Sequence, residues 1–259
     1  MVMPHAWVVW LGCMLLATVV LAGEAPPQLR VLSYNVNAAR VETATLEAIA
    51  AADADLVLLQ ETSPEWERAL RRRFASAYAH IAFHPWRPAY GGLAVLSRHP
   101  IDVDELLPPA AGWFPAQRLV VAAPIGRIQV LHVHLRPAID QGDWVRGYFT
   151  TPPIRRREIE AYWRRMVADL PTLAAGDFNE EPGANALAYL ADRGLTRVDT
   201  GATATWEWKG MWQGRPIQLA MKLDHVLVDG RLAVRDARVI IGGRSDHRPV
   251  EVTLERAPP

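Results

Sequence analysis

Polar side chains recur at the ends of short apolar runs in this sequence. They occur at four places, which are Asn35, Glu61, the pair Asp177 and Asn179, and the pair Asp246 and His247. Short apolar runs are typical of buried strands, so polar groups at their ends would gather on one rim of a sheet. Carboxylate and amide oxygens on such a rim could bind a hard cation.

The segment Gly176-Asp177-Phe178-Asn179 follows the apolar run 173–175. Side chains alternate along a strand with a period of two, which directs Asp177 and Asn179 to the same side. A carboxylate beside an amide can accept a proton and orient a phosphoryl oxygen. A simple turn is the alternative, because Gly, Asp and Asn favour turns.

Histidines provide further candidates. His132 and His134 lie on one face of a predicted strand. A buried core role is the alternative for each, and His134 is the better catalytic candidate because it is nearer the strand end. Asp224 begins an apolar run, although carboxylates are poor strand formers. Asp246 and His247 precede another run, where a surface turn is the simpler explanation in isolation.

Apolar periodicity, together with cap and turn signals, predicts the elements that must position these residues. Strands are predicted over residues 29–34, 55–59, 92–97, 117–123, 127–135, 172–175, 222–228, 233–240 and 248–254. Helices are predicted over residues 43–52, 64–74, 154–170 and 184–191, the third being the longest. Strands outnumber helices, and the helices are spread along the chain, which favours two packed sheets with helices outside.

Length and composition favour one domain, over residues 26–259, that acts as a monomer. Of the 259 residues, 50% are hydrophobic, which is ample for a sizeable core. Lysine and arginine total 28, as do aspartate and glutamate, so the formal net charge is zero. This balance argues against strong nonspecific binding of nucleic acid, which depends on an excess of basic groups. It leaves room for a nucleic-acid substrate in a local basic cleft.

Residues 1–25 have the pattern of a signal peptide. An apolar stretch runs from Ala6 to Ala22 without Lys, Arg, Asp or Glu, and Ala22 and Ala25 offer cleavage points. The stretch has no Lys or Arg before it and is near the lower limit of about 17 residues for a spanning helix, so an uncleaved anchor is the alternative. Cys13 is the only cysteine, so the mature chain would contain no disulfide. We expect a secreted or periplasmic protein, or a membrane-anchored one if the segment is retained.

Seven short motifs occur along the chain in the order found in one large family. They are Ser33-Tyr34-Asn35-Val36, Leu59-Gln60-Glu61, Gly91-Gly92-Leu93-Ala94-Val95-Leu96-Ser97, His134-Leu135, Gly176-Asp177-Phe178-Asn179, Leu223-Asp224-His225 and Ser245-Asp246-His247-Arg248-Pro249-Val250. In these motifs the chain resembles the endonuclease/exonuclease/phosphatase superfamily, which includes deoxyribonuclease I, over residues 29–254. The resemblance implies an α/β fold, a four-layer sandwich of two packed mixed β-sheets with helices on the outer faces.

The resemblance also implies a metal site. Glu61 would be the principal ligand of a divalent cation, with Asn35 and Asp246 assisting. Oxygen ligands of this kind suit Mg²⁺ or Mn²⁺, and an exported protein could also use Ca²⁺. Some relatives carry an aspartate where this chain has Asn37, which implies a weaker or single metal site.

The same resemblance implies roles in phosphodiester hydrolysis. Asp177 would position or deprotonate the attacking water, and Asn179 and His134 would hold the phosphate. His247, oriented by Asp224, would contact a phosphoryl oxygen or act as general acid or base. A carboxylate neighbour raises the pKa of an imidazole above its ordinary value of about 6.5, so His247 could be protonated near neutral pH.

Two predicted loops, 136–153 and 205–216, are rich in large apolar side chains. These are Trp144, Tyr148, Phe149, Trp206, Trp208, Met211 and Trp212. They could stack bases, lie at a membrane surface, or simply pack the loops onto the sandwich. The basic runs 71–73 and 155–157 could contact phosphate, but solvated helix faces are the simpler interpretation.

These observations predict an exported, metal-dependent phosphodiesterase of nuclease type. A phospholipid or sphingomyelin phosphodiesterase is the alternative, in which the aromatic loops would contact a membrane surface. A catalytically silent binding module is the alternative from another class. It is disfavoured because a binding module has no need of a water-activating aspartate such as Asp177.

Overall fold

The computed structural model describes residues 26–38, 40–86, 89–212 and 214–258. The signal peptide or anchor expected over residues 1–25 lies outside the described residues, as does the side chain of Trp212. Within the described ranges, no helix is long and apolar enough to cross a membrane.

The described residues form fourteen strands and five α-helices. In chain order the strands are β1 (Leu29–Asn35), β2 (Leu56–Gln60), β3 (His80–His84), β4 (Leu93–Ser97), β5 (Ile101–Leu107), β6 (Ala116–Ala123), β7 (Gly126–His134), β8 (Thr172–Asp177), β9 (Leu195–Arg197), β10 (Trp206–Trp212), β11 (Arg215–Met221), β12 (Asp224–Asp229), β13 (Leu232–Val239) and β14 (Val250–Arg256). The helices are α1 (Thr43–Ala52), α2 (Pro64–Phe74), α3 (Trp144–Thr150), α4 (Pro152–Trp163) and α5 (Asn185–Ala191).

The strands form two six-stranded sheets and a two-stranded hairpin. The first sheet has the order β13-β14-β1-β2-β4-β3, the second has the order β5-β6-β7-β8-β12-β9, and β10 and β11 form the hairpin. Each large sheet has one parallel pair at its centre, β1 with β2 and β7 with β8. The other neighbours are antiparallel, so both sheets are mixed.

Three parts of the hydrophobic core separate four layers. Apolar residues of both sheets, including Val31, Leu58, Val130 and Leu173, pack together between the sheets. The outer face of the first sheet is covered by α1 and α2, and that of the second by α4 and α5. Central strands are therefore buried on both faces, which explains their continuous apolar runs. The four-layer sandwich predicted from the sequence is confirmed.

Helix α2 shows how local sequence builds an outer layer. The Ser63 hydroxyl accepts a hydrogen bond from the Trp66 amide, and Pro64 occupies the first helical turn. Trp66, Leu70 and Phe74 recur every four residues and are buried against the first sheet. Truncation of such a side chain, as in Trp66→Ala, costs about 3–5 kcal/mol of unfolding free energy.

Several elements differ from the sequence prediction. Helix α3 lies within the predicted loop 136–153, and the β10–β11 hairpin occupies most of the predicted loop 205–216. The edge strands β3, β5 and β9 were not predicted from the sequence, because they are only partly buried and lack long apolar runs. Helix α4 ends at Trp163 rather than at residue 170. The Gln129 side chain on β7 binds the backbone of Val167, which holds the segment after α4 against the sheet in turns.

Candidate active site

The predicted site residues lie at one edge of the two sheets. Asn35 ends β1 and Glu61 follows β2, and these strands are parallel, so their carboxyl ends meet at the same edge. In the second sheet, His134 and Asp177 end the parallel strands β7 and β8 in direct register. Asp224 begins the antiparallel strand β12 directly opposite Asp177.

The loop before β14 completes this edge with Asp246 and His247, because β14 runs antiparallel to β1. One cavity of about 800 Å³ is lined by Glu61, His134, Asp177, Asn179, Asp246 and His247, among others. Asn35 and Asp224 are buried and hydrogen-bond to residues of this cavity. The structure therefore brings all eight predicted residues together.

His247 is held between two carboxylates. Its Nδ1 lies 2.8 Å from Asp224 Oδ2, and its Nε2 lies 3.6 Å from Asp177 Oδ2. Burial alone would lower the pKa of the His247 imidazole, but the charges of Asp224 and Asp177 outweigh burial and raise this pKa to about 10. His247 is therefore an imidazolium at neutral pH, with one N–H bound to Asp224 and the other directed toward Asp177.

Two hydroxyl groups hold the backbone on either side of this array. Thr205 Oγ1 accepts hydrogen bonds from the amides of Leu223 and Asp224, at 2.9 and 3.0 Å. Ser245 Oγ donates to the Asn35 carbonyl at 2.7 Å and accepts from the His247 amide at 3.1 Å. Sequence reasoning missed the role of Thr205, for which no local signal exists. Ser245 lies in the last of the seven sequence motifs, but no role was predicted for it.

Glu61 and Asp177 converge on the amide of Asn35. Its Nδ2 donates to Glu61 Oε1 and to Asp177 Oδ2, both at 3.0 Å. Burial raises the pKa of the Asp177 carboxyl to about 6 and also raises the pKa of the Glu61 carboxyl. The partly buried carboxylate of Glu61 and the buried carboxylate of Asp177 therefore meet at one amide, where they can share a bound cation.

The two histidines of β7 have different surroundings. His132 is buried, with Nε2 2.7 Å from Gln60 Nε2 and Nδ1 3.0 Å from Gln117 Oε1. His134 reaches the cavity, where its Nε2 lies 3.6 Å from Asp177 Oδ2 and its ring stacks on Phe114. Burial lowers the pKa of His132 to about 3 and that of His134 to about 4, so both rings are neutral at pH 7.

Asp246 receives hydrogen bonds from the side chains of Asn37 and Trp206, among others. Asn37 Nδ2 donates to its Oδ1 at 2.9 Å, and the Trp206 indole N–H donates to its Oδ2 at 3.0 Å. Burial alone would raise the pKa of the Asp246 carboxyl, but the charge of His247 and these two hydrogen bonds outweigh burial and lower it. Asp246 is therefore ionised at neutral pH. From the sequence, Trp206 was predicted only to lie in an aromatic loop, and this contact was not predicted.

Two site residues have backbone conformations that favour glycine. Glu61 has φ of +57° and Asn179 has φ of +52°. The Asn179 amide donates to Asp177 Oδ1 at 2.8 Å, and its Nδ2 donates to the Leu135 carbonyl at 3.0 Å. The turn after Asp177 is thus part of the site. Backbone strain of the kind seen at Glu61 is concentrated at functional sites in proteins.

Arg155 does not lie on a solvated helix face as predicted. It is buried, its Nε donates to Glu180 Oε1 at 2.9 Å, and one of its terminal nitrogens donates to the Arg136 carbonyl at 3.1 Å. A sequence signal was present, because Arg155 shares helical spacing with Ile159 and Tyr162 on the buried face of α4.

The fold and the site define a phosphoesterase of the deoxyribonuclease I type, a four-layer sandwich with acidic and histidine side chains at one edge. A family model described as the Endonuclease/Exonuclease/phosphatase family matches residues 32–247, and the chain belongs to this family. Comparison with curated proteins gives no significant match.

Solved structures share the fold at low sequence identity. An endonuclease/exonuclease/phosphatase from Beutenbergia cavernae DSM 12333 is 21% identical with a TM-score of 0.68, covering 89% of this chain and 72% of that one. The human Nocturnin catalytic domain with bound sulfate anion is 18% identical with a TM-score of 0.68, covering 90% and 96%. D. rerio TDP2 complexed with single strand DNA product is 15% identical with a TM-score of 0.68, covering 88% and 99%.

Proposed function

We propose that this protein is an exported, divalent-cation-dependent hydrolase of phosphodiester bonds. The convergence of Glu61, Asp177, Asp246 and His247 on one cavity, with Asp224 bound to His247, carries the proposal. This complete hydrolytic set argues against a catalytically silent binding module. Nucleic acid is among the substrates to be tested because the similar structure of D. rerio TDP2 holds a single strand DNA product. Export rests on the signal-peptide pattern of residues 1–25 alone.

The residues fit a divalent cation beside Glu61. Glu61 and Asp246 offer hard carboxylate oxygens, and Glu61 is partly buried near the second carboxylate of Asp177, where positive charge is favoured. Asn35 presents its Nδ2 to Glu61, so as a ligand its amide would rotate by half a turn to present Oδ1. Mg²⁺ is the proposed ion, with Mn²⁺ or Ca²⁺ as alternatives. When bound, such an ion neutralises charge on nonbridging phosphate oxygens.

The group formed by Asp177, Asp224 and His247 is a second possible cation site, but its protonation disfavours binding. Within the described part of the chain, one potential ligand atom from each of Asp177, Asp224 and His247 lies within 4.8 Å of the others. However, His247 Nδ1 is already bound to Asp224, and the raised pKa of His247 makes its ring cationic. We therefore place the cation with Glu61 and give His247 a separate role.

Asp177 is positioned to orient the attacking water. The Asn179 amide donates to Asp177 Oδ1 at 2.8 Å, which fixes the direction of the carboxylate whichever way the Asn35 amide is turned. The water gives one proton to Asp177 as its oxygen bonds to phosphorus, the ester P–O bond breaks, and the departing alcohol oxygen takes a proton from solvent. Positioned acid–base groups contribute about 10²- to 10⁴-fold to such reactions.

Three side chains are positioned to bind the phosphate. The Nε2–H of His247 carries positive charge toward the cavity, where it would donate to a phosphoryl oxygen. Asn179 Nδ2 uses one hydrogen on the Leu135 carbonyl and can donate the other to the phosphate. The neutral ring of His134 lies beside Asp177 and supplies a further hydrogen bond.

A hydrolysis assay with the purified protein, in Mg²⁺ or in EDTA, tests this proposal. The substrates are bis(4-nitrophenyl) phosphate, single-stranded DNA, duplex DNA, RNA and sphingomyelin vesicles. We expect metal-dependent turnover of at least one substrate and its loss by about 10²- to 10⁴-fold in Asp177→Ala. Asp192→Ala, at an exposed position after α5, is the matched control and should keep full activity. Equal turnover in EDTA would contradict the proposal.

Export is tested separately by expressing the full sequence in a Gram-negative host and fractionating the cells. We expect a shortened protein outside the cytoplasm, or an unshortened one in the membrane fraction if the segment is retained. Full-length soluble protein confined to the cytoplasm would contradict export and leave the hydrolase proposal intact.

A further inference from the structure

The cavity at the proposed site has walls of large apolar side chains. Many of these side chains are partly exposed although they lie beside the buried charged residues. They include Trp113, Trp144, Tyr148, Phe149, Trp208 and Leu219. Contiguous exposed apolar surface of this kind marks a binding site.

Helix α3 forms one wall and buries almost none of its side chains. Of its seven residues, Gly147 is the buried one, whereas Phe149 is 74% exposed and Trp144 and Tyr148 are nearly half exposed. The helix is nevertheless firmly placed, because a Cβ on Gly147 would come within 2.3 Å of the Ala138 backbone. A fixed helix that directs aromatic side chains into a cavity is arranged to contact a ligand.

The β10–β11 hairpin forms a second apolar wall of the same cavity. Trp206 pairs with Met221 and Trp208 pairs with Leu219, so these four side chains share one face, and all four line the cavity. The other face carries Glu207, Lys209 and Gln218. The Trp206 indole also binds Asp246, so the apolar wall is joined directly to the proposed metal site.

The walls do not carry the charge that a polynucleotide requires. Among the described residues that line the cavity, Arg155 is the only arginine, it is bound to Glu180, and lysine is absent. Glu180 and Glu181 line the same cavity. A bound polynucleotide needs a basic groove along its backbone, whereas an aliphatic chain needs apolar walls.

We infer that the phosphodiester hydrolysed at this site carries a long aliphatic chain, which lies in the slot between α3 and the β10–β11 hairpin. The inference rests on the proposed phosphodiesterase activity and places the phosphate beside Asp177 and His247. The cavity volume of about 800 Å³ is within the range of small-molecule sites, about 300–1,000 Å³. The chain can enter from a monomeric ester or from a lipid bilayer, since both present the same chemistry to the slot.

A homologous series of 4-nitrophenyl alkyl phosphates, with methyl, butyl or octyl groups, tests the inference. The leaving group is the same throughout, so only the alkyl chain changes. Burial of each methylene favours binding about fourfold, so kcat/KM should rise by more than about 10²-fold from the methyl to the octyl ester. The esters are assayed both as monomers, below their aggregation concentration, and in phosphatidylcholine vesicles containing a long-chain member of the series.

Variants locate the effect in the slot. Phe149→Ala and Trp208→Ala should lower kcat/KM for the octyl ester about tenfold or more and leave the methyl ester within about twofold, because only the long chain reaches these walls. Ile241→Ala is the matched control, since Ile241 is 73% exposed and lies outside the cavity lining. It should change neither rate.

A rise in kcat/KM with alkyl length for the monomeric esters supports entry of the chain from solution. A rise seen only in vesicles supports entry from a bilayer. Equal rates for methyl and octyl esters in both forms, or faster cleavage of single-stranded DNA than of the octyl ester, would overturn the inference. In either case the proposed phosphodiesterase activity would stand. Failure to hydrolyse every ester in the presence of Mg²⁺ would remove both.

Discussion

Glu158 on helix α4 is a buried carboxyl whose ionisation should control stability. Its Oε2 accepts a hydrogen bond from the Arg136 amide at 2.9 Å. Its Oε1 packs so closely against Gly112 that a Cβ added to Gly112 would lie 1.6 Å from this oxygen. Burial raises the pKa of the Glu158 carboxyl from 4.5 to about 7. The folded protein therefore holds this proton more tightly than the unfolded chain does.

The size of this effect follows from the two pKa values. The difference between 4.5 and about 7 corresponds to about 3 kcal/mol, at about 1.4 kcal/mol per pH unit. This contribution to stability is complete below pH 4.5 and is lost as the pH rises through 7. In Glu158→Gln the amide keeps an acceptor for the Arg136 amide and does not ionise. We expect Glu158→Gln to be more stable than the wild type by up to about 3 kcal/mol near pH 8.5 and nearly equal to it near pH 5.

Urea unfolding followed by circular dichroism at the two pH values measures this difference. Glu160→Gln is the control on the same helix, because Glu160 pairs with Arg156 at a partly exposed position. It should change the free energy of unfolding by less than about 0.5 kcal/mol at either pH. A Glu158→Gln protein less stable than the wild type near pH 8.5 would contradict this prediction. It would show that neighbouring arginines stabilise the ionised carboxyl more than burial destabilises it.

Three further substitutions test the site. Asp177→Asn keeps the side-chain shape but cannot accept a proton, so kcat on bis(4-nitrophenyl) phosphate should fall by about 10²- to 10⁴-fold with little change in KM. A change in KM with no change in kcat would contradict this role of Asp177. Trp206→Phe removes the N–H that binds Asp246, so the Mg²⁺ concentration for half-maximal activity should rise about tenfold or more. An unchanged Mg²⁺ titration would argue against a role for the Trp206–Asp246 hydrogen bond in cation binding. Gly176→Ala should lower the free energy of urea unfolding by about 3 kcal/mol or more, because φ is +143° and the new Cβ would lie 1.9 Å from the Val133 carbonyl oxygen. A loss below about 1 kcal/mol would count against this prediction.

The central parallel strand pairs explain why the site residues could be predicted from the sequence. Strands β2 and β8 are buried on both faces, so they are continuous apolar runs that end clearly at Glu61 and Asp177. Parallel neighbours have their carboxyl ends at the same edge, which places Asn35 beside Glu61 and His134 beside Asp177. Local pattern and strand direction were therefore sufficient to predict where these residues meet.

The supporting residues could not be predicted in the same way, because their roles depend on contacts between distant segments. Thr205 binds the Asp224 amide from 19 positions away, and Trp206 reaches Asp246 across 40 positions. Helix α3 was missed for a different reason. Its side chains face a cavity and solvent instead of the core, so its sequence lacks the one-sided apolar spacing by which surface helices are recognised.

The cation site at Glu61 is tested by titration calorimetry of Mn²⁺ binding to the wild type and to Glu61→Gln. Hydrolysis of bis(4-nitrophenyl) phosphate is measured on the same proteins. Glu65→Gln is the matched control, because Glu65 is exposed at the start of α2, away from the cavity lining. We expect the wild type and Glu65→Gln to bind Mn²⁺ and to gain activity over the same concentration range. Glu61→Gln should lose at least about tenfold in both binding and activity. Unaltered binding and turnover in Glu61→Gln would contradict the account.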